Sequence, residues 1–220
     1  MAAAWMTWVA GTVNATIITN ALWTFEAPNT PADATATVYP NLIPPAIGSG
    51  NAGGAHALSS SWTTPVGNGS PESFSVNNWS IGDYFQFQTT TLHNYDIKLE
   101  WDQARSSLGP AAFKLQYSTD GVTFTDYALY TVLTNAVPFL WTSSGPRYSV
   151  YTHTYDLSSI TALNNQPTVY FRLTSISAAG GGAGTVRVDN FLVTSSMIPE
   201  PSTVVLIMVG SVLIWRRLRS

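Results

Sequence analysis

Residues 95–102 alternate without a break: Tyr95, Ile97, Leu99 and Trp101 are apolar, and Asp96, Lys98, Glu100 and Asp102 between them are charged. Successive side chains of a strand point to opposite faces, so a period of two buries one set and hydrates the other; a helix would scatter both around its axis. Phe113, Leu115 and Tyr117 repeat the pattern against Lys114, Gln116 and Ser118. Ser118-Thr119-Asp120-Gly121 follows, ahead of Val122 and Phe124, and an Asp-Gly pair supplies the positive φ angles of a tight hairpin. Further strands are read at Leu22 to Glu26, His56 to Thr63, Asp83 to Thr89, Tyr127 to Leu133, Tyr148 to Asp156, Thr168 to Ile176 and Thr185 to Thr194. One helical turn is expected within Asp156 to Leu163. Many short strands and no amphipathic helix predict an all-β chain, folded over residues 16–195 as two packed antiparallel sheets, a β-sandwich. Residues 27–55, with five prolines and repeated glycines, read as a long loop crossing between the sheets, and Ser177 to Gly184 as a second loop.

Composition narrows the class. The chain has 220 residues and no cysteine, so disulfides and thiol-ligated metals are excluded. Only 10% of residues are charged, and Thr, Ser, Asn, Gly and Ala are abundant, a balance usual for extracellular β-proteins. Up to Ile198 the chain carries 11 acidic and six basic side chains, a net of −5, which argues against nucleic acid as a partner.

No catalytic constellation is evident. His56, His93 and His153 are far apart and lack zinc-site spacing, and there is no G-x-S-x-G elbow or phosphate-cradling glycine loop ahead of a helix. Glu100 and Asp102 could serve a glycosidase, but two acids two apart on one strand read as a solvated sheet face, and Asp120, Asp126 and Asp156 have no stronger claim. The chain is therefore expected not to be an enzyme, with a glycan-active hydrolase the least favoured alternative. Tryptophans keep a binding role open, because flat rings stack on sugar faces. Trp23 and Trp101 fall on core positions, leaving Trp62, Trp79 and Trp141. Trp141, in a Pro- and Ser-rich segment with Arg147 and Tyr148, is the candidate ligand-binding group.

Both ends read as targeting segments. Residues 1–15 have an apolar centre and end Val13-Asn14-Ala15, as the later half of a signal peptide would, but without a basic leader. Either the true start lies upstream or this segment is the domain's first strand. At the other end, a linker (196–203) contains Pro199-Glu200-Pro201, which holds the chain open because neither proline has an N–H. Then come 12 apolar or small residues, Val204 to Trp215 (204–215), and a basic tail (216–220) with Arg216, Arg217 and Arg219. As a helix the apolar run would span about 18 Å against a hydrocarbon core of about 30 Å, short for a permanent anchor. The arginines would stay cytoplasmic and leave the rest of the chain outside.

This ordered triplet resembles the PEP-CTERM sorting signal of exported bacterial proteins; an ordinary tail anchor or a buried terminal helix is the alternative. The resemblance implies a membrane-embedded exosortase as partner, transient anchoring in the inner membrane, and release to the cell surface or extracellular matrix of a non-catalytic protein linked to exopolysaccharide or biofilm. Leu22-Trp23-Thr24-Phe25-Glu26, Tyr117 to Gly121, Val169 to Leu173 and Val186 to Phe191 look like the ectodomains that precede such signals. Those are similar to galactose-binding-like jelly rolls, the sandwich of many carbohydrate-binding modules, which implies an extracellular polysaccharide as a further partner. In several such modules a calcium ion joins the first and last strands, and Glu26 and Asp189 hold the corresponding places here; an exposed strand-edge Glu and a turn Asp are the alternative.

Overall fold

The computed structural model describes residues 16–197. Its strands are β1 (Ile17–Trp23), β2 (Ala34–Ile43), the two-residue bridge β3 (Ile47–Gly48), β4 (Gly50–Thr63), β5 (Phe74–Val76) and β6 (Tyr84–Thr89). They continue with β7 (Asn94–Arg105), β8 (Ala112–Ser118), β9 (Thr125–Thr131), the bridge β10 (Leu133–Thr134), β11 (Thr152–Asp156), β12 (Val169–Ser175) and β13 (Val186–Met197). Helix among the described residues is limited to two single 3-10 turns, Ser149–Tyr151 and Thr161–Leu163, the second inside the segment expected to hold one.

The first sheet runs β1-β13-β7-β11, and the second runs β2-β4-β6-β12-β8-β9. Every pairing within these two paths is antiparallel, and β10 adds a short parallel pairing at the end of β7. Between the layers sits β5, which pairs with β13 on one side and with Trp62 and Thr63 of β4 on the other, joining the sheets at one corner.

Inward residues of both sheets meet in an aromatic core. Phe191 of β13 stacks on Phe87 of β6 at 3.6 Å, Trp23 meets Phe87 at 5.3 Å, and Trp101 of β7 meets Tyr130 of β9 at 5.4 Å. These contacts cross from one layer to the other, and each fully buried aromatic contributes about 1.5–3 kcal/mol. Four core tryptophans also satisfy their indole N–H: Trp23 donates to the Ile43 carbonyl, Trp62 to Ala36, Trp79 to Val76 and Trp101 to Gln103 Oε1.

Three expectations need correction. Residues 27–55 are not one loop, because they contain β2, β3 and the start of β4. Pro40 is tolerated because β2 is an edge strand and its register shifts there. Glycines of β4 mark close approach: a Cβ on Gly53 would lie 2.7 Å from the Pro40 carbonyl oxygen, and one on Gly54 would lie 2.8 Å from the Trp62 ring. The β8–β9 hairpin is present, but its turn is the six-residue loop 119–124, with β9 beginning at Thr125. Only Gly121 takes a positive φ there, while Asp120 accepts from the Val122 and Thr123 amides. Finally, Asp102 is fully buried, so the charged face of β7 is not uniformly solvated. The signal-peptide segment (1–15) and the sorting motif, apolar run and basic tail (199–220) lie outside the described residues.

Candidate functional site

On the outer face of the first sheet, two loops, 64–73 and 135–148, fold down over β7 and β13. Ala104 of β7 faces outward and offers a small surface, onto which Trp141 and Tyr151 pack edge to face at 5.7 Å. Trp141 is 2% exposed, so its ring is core of this cap and presents no face to a sugar. Arg187 lies over the same ring at 5.7 Å and donates to the Val66 carbonyl.

Arg147 and Tyr148 belong to the same cap. Arg147 donates from Nε and Nη2 to Asp102, at 2.6 and 2.9 Å, and from Nη2 to Glu100 at 2.8 Å. Asp102 further accepts from the Thr152 hydroxyl and the Asn190 amide, which makes a buried carboxylate tenable. Tyr148 exchanges both backbone bonds with the Asn68 side chain, tying one loop to the other. The three residues singled out as a ligand site therefore come together as a structural clamp.

Asp189 sits directly across the β7–β13 ladder from Asp102, and a bulge follows it at Asn190, which adopts φ +52°. Its carboxylate accepts from the Asn68 amide (2.9 Å), the Ser70 hydroxyl (2.7 Å) and the Asn190 amide (2.7 Å). Burial pushes its pKa up to about 7, assisted by the Asp102 charge and opposed by these hydrogen bonds. A calcium ion needs converging oxygen ligands, whereas Asp189 is ringed by donors and Glu26 is not among its partners. Among the described residues no group of three or more His, Asp or Glu side chains could hold a metal ion, and the hydrogen-bond partners of Asp189 are Asn68, Ser70 and Asn190.

The buried set His56, Ser60 and Asp83 has the residue types of a hydrolase triad but not its geometry. Ser60 Oγ (3.0 Å) and Asp83 (3.3 Å) both approach the same nitrogen, Nδ1, whereas a relay needs opposite nitrogens. His56 is held between Trp62 and Trp79, where burial lowers its pKa to about 4. His153 stacks on Trp101 at 5.3 Å and is likewise lowered to about 4 by burial.

The outer face of the second sheet is different in kind. Alternation in β6 sends Phe85 and Phe87 inward and Tyr84, Gln86 and Gln88 outward, and β12 likewise presents Tyr170 and Arg172. Register aligns these in rows across the strands: Asn51, Gln88, Tyr170 and Ser118 in one, and Gly53, Gln86, Arg172, Gln116 and Asp126 in the next. Hydrogen bonds fix several members of these rows. Asn41 donates to Gln88 (3.0 Å), Arg172 Nε to Gln86 (2.8 Å), Thr174 to Gln116 (2.7 Å) and Gln116 to Asp126 (2.7 Å). The Arg172 guanidinium is sandwiched between Tyr84 (3.8 Å) and Phe124 (3.6 Å), and Gly121 of the same β8–β9 loop lies against the Tyr170 ring.

Such a face carries fixed amides that both donate and accept, together with aromatic rings, and it matches a ligand dense in hydroxyls. Asn41 Oδ1 is buried there without a partner. The signal for this face lies in the alternation of residues 84–89 and 169–173, which in sequence marks two strands and no more.

No protein-family model matches the chain, and no curated protein matches it. Among solved structures it is similar to the CBM22-1 and GH10 modules of Clostridium thermocellum endo-1,4-beta-D-xylanase 10B complexed with xylohexaose, at TM-score 0.45 and 12% identity. That match covers 80% of this chain and 28% of the xylanase chain. It is also similar to the K3 cleaved adhesin domain of Lys-gingipain from Porphyromonas gingivalis (TM-score 0.42, 13% identity, 81% of this chain and all of that one). A third is the non-crystalline cellulose specific carbohydrate-binding module CBM28 (TM-score 0.35, 16% identity, 59% and 78%). At these similarities none of them assigns a ligand or an activity to this chain.

Proposed function

We propose that this chain is a non-catalytic binding protein for an extracellular glycan, with the outer face of the second sheet as its binding surface. The observation that carries the reading is the set Gln88, Gln86 and Arg172, outward residues of two adjacent rows held in place by Asn41, Tyr84 and Phe124. Preorganised polar side chains beside aromatic rings supply orientation and stacking to a polyhydroxylated chain at little further ordering cost. The test is affinity electrophoresis of the full chain, in a sugar-free zwitterionic detergent, through gels containing soluble polysaccharides. Retardation that weakens about tenfold in Gln86→Ala with Gln88→Ala supports the reading. A panel without retardation, or retardation indifferent to that double variant, overturns it.

We further propose that the protein is exported and sorted through Pro199-Glu200-Pro201, the apolar run and Arg216, Arg217 and Arg219, as an exosortase substrate. What supports this is the order of the three parts. Mass spectrometry of the exported form should find the chain ending near residues 199–202, and an intact Ser220 would sink the proposal.

A further inference from the structure

Six basic side chains occur among the described residues, and five are committed to protein groups. Lys98 pairs with Asp156 and Lys114 with Asp126, each at 2.9 Å. Arg147 is taken by Asp102 and Glu100, Arg105 binds the carbonyls of Val132, Ser106, Ser107 and Gly109, and Arg187 binds that of Val66. Arg105, Arg187 and Arg172 meet no carboxylate among the described residues, and of these three only Arg172 leaves both terminal nitrogens without a protein partner there. The Arg172 Nε is spent on Gln86.

The surroundings make that free charge an instrument rather than a loose end. Two rings clamp the guanidinium plane at 3.8 and 3.6 Å, so the fork it presents is fixed in direction. Burial between the rings pushes the Arg172 pKa down, the sign of a cation stripped of water without a counterion in return. Around it the face is neutral amide and hydroxyl, apart from the self-neutralising Lys114–Asp126 pair. Asp120, in the neighbouring loop, spends its carboxylate on the Val122 and Thr123 amides. Asp120 keeps its negative charge, so the face is not positive overall; what it bears is one guanidinium with no carboxylate partner, on a chain whose residues up to Ile198 sum to −5.

We propose that the glycan bound by this face is acidic, carrying carboxylate or sulfate groups, and that Arg172 is the residue that reads the charge. This rests on the glycan-binding reading above and names its substrate class. A planar fork accepts either anion through two parallel charge-assisted hydrogen bonds, while the amides of Gln86 and Gln88 address the hydroxyls.

The experiment measures binding of the full chain to polygalacturonate, to its methyl ester and to a sulfated galactan. The acid or the sulfated polymer should bind about tenfold tighter than the ester, and whichever does identifies the anion. Arg172→Gln should abolish that preference, so that the charged polymers bind the variant no tighter than the ester does; Arg172→Lys should keep part of it. Raising salt from about 0.05 to about 0.5 M should weaken wild-type binding to the charged polymer and spare the ester, a readout that needs no variant. If the ester binds as tightly as the charged polymers, or Arg172→Gln preserves the preference, this inference is overturned and glycan binding stands. If no polymer binds, both fall.

Discussion

Arg147 makes a bidentate pair with Asp102, Nε to Oδ2 at 2.6 Å and Nη2 to Oδ1 at 2.9 Å, and Asp102 is fully buried. The pair links β7 to a loop some 45 residues further on, so it anchors the cap over the first sheet.

Arg147→Met would leave the Asp102 carboxylate buried with only Thr152 and Asn190 as partners. Breaking a buried pair from one side costs 3–5 kcal/mol, and the solvent contact of Arg147 points to the low end, about 3 kcal/mol. For a domain of this size Tm should fall by roughly 6–12 °C. Adding Asp102→Asn to that variant should recover part of the loss, since the neutral amide no longer needs a counterion. Failure to recover any would place the stabilisation elsewhere in the cap.

Asp189 gives stability a pH signature with a definite sign. The folded carboxyl keeps its proton up to about pH 7, whereas unfolded aspartate releases it near 3.8. Folding takes up a proton in between, so this contribution is complete at low pH and is lost as pH rises through that window. His56 and His153 act in the opposite sense. Each is lowered to about 4 from 6.5, and the stability they confer is lost as pH falls from 6.5 towards 4. Subtracting wild type from Asp189→Asn isolates the carboxylate: between pH 5 and 8 the difference should move in favour of the variant by about 2 kcal/mol. Denaturant titrations at the two pH values check this; a constant difference would mean that Asp189 is ionised in the fold throughout.

Much of this architecture was legible because β6, and stretches of β7 (97–101), β8 (112–115) and β12 (169–173), bury alternate side chains, and a period of two needs no knowledge of the rest of the chain. Residues 27–55 were not legible, since prolines and glycines read as loop when only the sequence is in view. Pro40 sits on an edge strand, and Gly53 and Gly54 make room for the Pro40 backbone and the Trp62 ring, both of which are tertiary facts. The candidate site inverted for the same reason. Trp141 beside Arg147 has the composition of a sugar site, but Ala104 and Asp102, far away in sequence, draw both into a clamp. Conversely, Arg172 gains its meaning from Tyr84 and Phe124, which lie on other strands and loops.

Trp141→Ala separates the clamp from the binding face. Removing a buried tryptophan costs 3–5 kcal/mol, and this small cluster should give about 3 kcal/mol. Because Trp141 packs on the outer face of the first sheet and Gln86 lies on the outer face of the second, glycan affinity should stay within about twofold of wild type. Thermal melts and affinity electrophoresis on the same preparation test both halves. A large loss of affinity would return Trp141 to the ligand site.

Gly121 joins the β8–β9 loop to the binding face. Its φ of +73° suits glycine, and a Cβ there would come within 2.9 Å of the outer edge of the Tyr170 ring, so the ring or the loop must give way. Gly121→Ala should both strain the backbone and lift the loop, at about 1–2 kcal/mol. Phe124 is three residues on in the same loop, so lifting it removes one of the two rings that hold Arg172. Affinity for the glycan should therefore fall about three- to tenfold while the other ring, Tyr84, keeps part of the stack in place. The result to look for is a coupled drop in Tm and in affinity; a lower Tm with affinity unchanged would show that the loop and Phe124 take no part in binding.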